Sequence, residues 1–101
     1  PEVRARADVI AHHGERVRIR GRYESRALAD VRGRVWSHGP FVVLRDGTLL
    51  FFEPRERAAA EIAAHEGREV EVIGVLAPPP APSFDVASVT VESLQIVATG
   101  P

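Results

Sequence analysis

The chain has 101 residues, 45% of them hydrophobic, and a formal net charge of −1, which suits one domain with a single core and no staples. It contains no cysteine, which excludes a disulfide framework and a thiolate metal site. Its longest apolar runs, Phe41 to Leu44 and Leu49 to Phe52, are too short to span a bilayer.

No signal-peptide pattern opens the chain. A start at Pro1 rather than Met implies a processed product or a piece of something longer, from which an upstream anchor or targeting segment could have been lost. All 13 basic residues are arginine, a mark of GC-rich, bacterial coding bias before it is a mark of function. Residues 1–45 carry ten arginines against five acids, a balance of +5, and residues 46–101 carry three against nine, a balance of −6. Such asymmetry suits an anionic partner for the basic half. It also suits two halves that neutralise each other inside one barrel, and the repeat described next favours that.

The spacing of Val3, Ala7, Ile10 and Ala11 predicts a helix over 2–13, stopped by Gly14. A strand follows over about 15–26, with Val17, Ile19, Gly21 and Tyr23 on one face and Arg16, Arg18, Arg20 and Arg22 on the other. Gly21 marks a bend or bulge. Residues 27–40 read as a long connection containing Trp36 and a Gly39-Pro40 breaker, with room for a short strand around 33–37. Two β-rich runs, 41–45 and 48–53, flank Asp46-Gly47 and predict a two-residue type I′ hairpin. Pro54 suits a helix start, and 55–66 reads as a helix closed by Gly67. A strand at 68–77, a stiff proline-rich spacer at 78–82 and a strand at 87–97 complete the set. The apolar face of the last strand switches near Ser93, which hints at a bulge.

The segment Ala7 to Gly21 returns as Ala60 to Gly74, with Arg16 and Arg18 replaced by Glu69 and Glu71. Strands of matching pattern and opposite charge are natural sheet neighbours, each cross-strand pair contributing about 0.2–1 kcal/mol.

The element order is β-β-β-α-β-β behind an N-terminal helix. With the glycine inside the first strand, the Asp46-Gly47 hairpin and the helix at 55–66, it resembles the OB-fold over residues 15–97. That resemblance implies a mainly β, five-stranded Greek-key barrel with a helix between the third and fourth strands. The whole of 1–101 is then one domain, with 1–14 as an extra N-terminal helix. The first strand would pair with the second and the fourth, setting Glu69 and Glu71 against Arg16 and Arg18.

Nothing in the pattern proposes catalysis, a metal site or a cofactor. His12 and His65 sit at equivalent places before the glycine stops, where a histidine is favoured by the last helical carbonyls. No phosphate loop or nucleophile elbow is present. The expected role is therefore a non-catalytic binding module. In a two-residue hairpin Val42, Leu44, Leu49 and Phe51 share the inner face, while Phe41, Val43, Leu50 and Phe52 point outward. That outer apolar set, rimmed by Trp36, Arg34 and Arg45, suggests a protein partner or self-association. The alternative is single-stranded nucleic acid bound by Arg20, Arg22, Arg26, Arg32 and Tyr23. A third expectation, a small-molecule or glycan site in the barrel mouth, has no specific residues behind it.

Overall fold

The computed structural model describes residues 1–29, 32–79 and 86–97, with the backbone alone at 26–29 and 35–38. Its elements in chain order are β1 (Glu2–Val3), α1 (Arg6–Ala11), β2 (Arg16–Ala29), β3 (Val35–Val43), β4 (Leu49–Glu53), α2 (Ala59–His65), β5 (Glu69–Ala77) and β6 (Ala87–Ile96). Five strands pair in the order β2-β3-β4-β6-β5, and β5 pairs back with β2, closing a barrel. β1 lies outside it, parallel to β2, with Val3 opposite Ile19. The chain is thus mainly β, a small closed barrel with one strand outside and two short helices, consistent with an OB-fold-like resemblance. Among the described residues no helix is long and apolar enough to cross a membrane.

The internal repeat organises one wall. Ile19 and Val72 hold the same place in the two copies and pair with each other, so a local twofold axis passes between them. The bonds around it match. Gly14 N–H donates to Leu76 O (2.7 Å) and Gly67 N–H to Tyr23 O (2.8 Å), at equivalent positions. Both glycines have positive φ, +83° and +77°, as a helix-ending left-handed residue requires. Because β2 and β5 run antiparallel, the helices that precede them go to opposite ends of this wall. The two strand glycines serve one purpose. A Cβ on Gly21 would lie 2.5 Å from the Val43 carbonyl oxygen, and one on Gly74 would meet the carbonyl of Thr90. Each lets a neighbouring strand cross close by.

The acidic strand does lie against the basic one, but in a shifted register. Arg20 faces Glu71 and Arg22 faces Glu69, while Arg16 and Arg18 face Val75 and Ile73. The antiparallel direction carries the acids toward the far end of the arginine row. Arg16 instead meets Glu92, Nε to Oε1 2.7 Å. Glu92 is free to do so because β6 bulges: Ser93 pairs with Ile73 and Val91 with Gly74, leaving Glu92 outside the ladder. The switch of face near Ser93 has this cause.

The hairpin differs from expectation by one residue. Leu44 N–H donates to Thr48 O and Gly47 N–H to Leu44 O, both at 2.9 Å, so the loop is Arg45-Asp46-Gly47, with Gly47 at φ +87°. This is the three-residue loop with glycine in the left-handed position. The pairs become Phe41–Phe51, Val42–Leu50 and Val43–Leu49. One extra loop residue turns every β4 side chain to the opposite face. Val42 and Leu44 stay inside, but Leu50 and Phe52 join them in the core, each at 0% exposure. They meet Ile19, Val70, Val72 and Val89 there, and full burial of such side chains is worth about 1.5–3 kcal/mol each.

Both helices are shorter than their patterns suggested. Val3, counted on a helical face, is instead a buried strand residue. α1 begins only at Arg6 because the Asp8 carboxylate accepts the Arg4 and Ala5 N–H groups (2.9 and 3.3 Å). α2 starts at Ala59, well after Pro54. The supposed connection 27–40 is mostly strand, with β2 running to Ala29 and β3 starting at Val35. The short strand expected at 33–37 is the first part of β3. Gly39 and Pro40 lie inside β3, where Pro40 pairs with Ser25. That position lies beyond the reach of the β4 ladder, an edge setting that proline tolerates. Residues 80–82 of the proline-rich spacer lie outside the described residues.

Candidate functional site

An open groove of about 780 Å³ lies along β2 where β1 gives way to β3. Its making is local. β1 covers β2 on one edge only as far as Ile19, with Arg18 N–H donating to Pro1 O (2.9 Å). β3 takes up pairing on β2 at Arg22, opposite Val43. Gly21 lies between the two and its backbone lines the groove, while the side chain it lacks would point the other way, into the crossing with Val43. Arg18, Arg20 and Arg22 project from β2 by strand alternation, Arg4 follows β1, and Arg45 comes from the hairpin tip; all five line the groove with Val43, Leu44, Glu2 and Glu69.

Its charge is partly compensated. Glu71 stands between two guanidiniums, 3.6 Å from Arg18 Nε and 3.2 Å from Arg20 Nε. Arg22 Nε lies 3.1 Å from Glu24, and Arg4 pairs with Glu2, whose carboxyl the Arg4 hydrogen bonds hold below its ordinary range. Arg45 has no acidic partner among the described residues. The arginines remain more than half exposed, 54% at Arg18 and 61% at Arg20, so these pairs are worth little as stabilisation and leave the cations available to a ligand.

The residues singled out from sequence divide sharply. Val43 and Arg45, expected at a protein interface, and Arg20 and Arg22, expected at a nucleic-acid site, meet in this one groove. Leu50 and Phe52 leave the proposed outer patch for the core, because of the hairpin register. Phe41 keeps its outward side but is fully buried, its ring 4.7 Å from that of Phe51, and Arg55 lies 4.4 Å over the Phe51 ring. Arg32 and Arg34 are exposed between β2 and β3 and are engaged within the chain. The side chains of Arg26 and Trp36 lie outside the described residues.

Tyr23 is a correction of a different kind. It faces inward with Val17 and Ile19, as alternation on β2 demands, and has no exposed surface for stacking. Its ring packs 5.2 Å from Phe52, and its hydroxyl donates to Glu61 Oε2 (2.9 Å). Arg57 grips the same carboxylate with Nε and Nη2, both at 2.8 Å. The Arg57 hydrogen bonds hold the Glu61 carboxyl below its usual range, and Glu61 in turn raises Arg57. Burial, then the Glu61 hydrogen bond, pushes the Tyr23 phenol well above its ordinary value. His65 Nδ1 lies 2.6 Å from the Glu61 carbonyl, the helix-end contact expected of it. His12 turns instead to Glu15 (2.9 Å). This network ties α2 to β2. The i,i+4 spacing of Arg57 and Glu61 is the signal that would have found its first half.

No protein-family model matches the chain, nor does any curated protein or solved structure.

Proposed function

We propose that the protein is a non-catalytic binding module on an OB-fold Greek key, and that it holds single-stranded nucleic acid by its phosphate backbone in the arginine groove. The strand connectivity supports the first half. Counting barrel strands from β2, the order is first, second, third, fifth, fourth and back to first, with the third and fifth parallel and α2 between the third and fourth. One observation carries the second half: arginines from three separate segments, Arg4, Arg18 to Arg22 and Arg45, converge on one open trough. Convergence of cations on an open trough is the electrostatic footprint of a polyanion site.

Association with a protein is the second reading, favoured by Val43 and Leu49, which pair on the outer face and are half-buried. The two readings separate by salt. With three to five arginine–phosphate contacts, log affinity for an unstructured oligonucleotide should fall against log salt with a slope of about −2 to −3.5. Arg45→Glu should weaken binding and flatten that slope. Undetectable oligonucleotide binding at low salt ends this reading.

A further inference from the structure

The guanidiniums of the groove are held in an unusual manner. Arg18 and Arg20 approach Glu71 through Nε, and Arg22 approaches Glu24 through Nε. The other type of pair occurs in the same molecule: Arg57 and Arg4 each give one carboxylate both Nε and Nη2. A guanidinium has five N–H donors in a fixed fork. The forks of Arg57 and Arg4 are thus closed on their acids, whereas Arg20 and Arg22 spend a single donor on Glu71 and Glu24. Among the described residues the terminal amino groups of Arg20 and Arg22 make no hydrogen bond, so Glu71 and Glu24 hold these two forks by Nε alone, and Arg18, at 3.6 Å, is paired with Glu71 by charge without a hydrogen bond.

With Arg18, three guanidiniums recur at every second residue of one strand, a spacing of about 7 Å, comparable to the separation of successive phosphates in an extended strand. Between them the groove offers little for a base or a peptide side chain. Among the described residues none of its lining is aromatic, and of its apolar members Val3 and Leu44 are buried, at 1% and 2% exposure.

We infer that the ligand is read through its phosphates alone, one to each of Arg18, Arg20 and Arg22, with Glu71 and Glu24 as positioning residues and the bases turned away. The inference rests on the nucleic-acid reading and specifies how that ligand is recognised: a phosphate chain, of any base sequence.

The test uses the intact chain and four probes of matched length: a mixed-sequence single-stranded oligonucleotide, an abasic strand, inorganic polyphosphate and poly-glutamate. Oligonucleotide, abasic strand and polyphosphate should bind within a few-fold of each other, and poly-glutamate more weakly. Arg20→Lys keeps the charge but removes the fork and its Nε anchor. It should weaken all three phosphate probes by about fivefold to tenfold, the loss of one charge-assisted hydrogen bond, with the fold intact by circular dichroism. If the oligonucleotide binds and the abasic strand and polyphosphate do not, bases are read and the inference fails while the nucleic-acid reading stands. Poly-glutamate binding as tightly as polyphosphate overturns the phosphate assignment. An unchanged affinity in Arg20→Lys overturns the role of the fork and of its positioning acids. Binding of none of the four ends both readings.

Discussion

The buried phenol of Tyr23 sets how the protein responds to alkali, and the composition makes that response unusually easy to read. Tyr23 is the single tyrosine, and the chain has neither lysine nor cysteine. Tyrosine, lysine and cysteine are the side chains that ordinarily ionise in mild alkali, which leaves this one phenol. Burial and the donated bond to Glu61 raise its pKa in the folded state. In the unfolded chain it ionises near pH 10. The unfolded state therefore loses its proton first, so the stabilisation is complete below the unfolded value and is lost as pH climbs toward the folded one. The slope is about −1.4 kcal/mol per pH unit, which amounts to roughly 2–3 kcal/mol between pH 10 and 12. Urea unfolding followed by far-ultraviolet circular dichroism at stepped pH measures it, and phenolate absorbance of the native protein reports the ionisation directly. Tyr23→Phe should be less stable at neutral pH by about 1 kcal/mol, the worth of a hydrogen bond to a partly exposed acid, and its stability should be flat from pH 10 to 12. A native phenol that ionises near pH 10, or a wild-type curve as flat as that of the variant, would refute the reasoning.

The hairpin register makes adjacent leucines unequal. Leu50→Ala should cost about 2–5 kcal/mol and lower the melting temperature by at least 10 °C or so, whereas Leu49→Ala, half-buried on the outer face, should cost under about 1.5 kcal/mol. The reverse ranking in thermal unfolding would restore the two-residue loop. Gly21→Ala should destabilise by about 1–3 kcal/mol through overpacking against the Val43 carbonyl; a gain in stability, as glycine-to-alanine changes give where space allows, would contradict the close crossing of β2 and β3. At the acid end, the Glu61 carboxyl, lowered by Arg57, lends stability that is present above the ordinary carboxylate range and lost as pH falls through the folded value. Glu61→Gln should therefore lie below the wild type at neutral pH and converge on it in acid; a constant gap in denaturant midpoints across that range would argue against the pair.

Local pattern alone carried the order of the five barrel strands along the chain, the bulge in the last strand and the pairing of β2 with β5. Each of these follows from chemistry within a few residues, or from a repeat visible as text. Alternation along β2 was enough to seat Val17, Ile19 and Tyr23 inside, and it already argued against using Tyr23 as a stacking platform. What tertiary structure decided were quantities that hinge on a single residue of register. Asp46-Gly47 is compatible with a loop of two residues or three, and because strand side chains alternate, that one step exchanges the whole of β4 between core and surface. Likewise, the antiparallel register chose which arginines Glu71 would hold. The groove could not be read from the chain at all, since Arg4, Gly21 and Arg45 are distant in sequence and come together only where β1 gives way to β3 along β2.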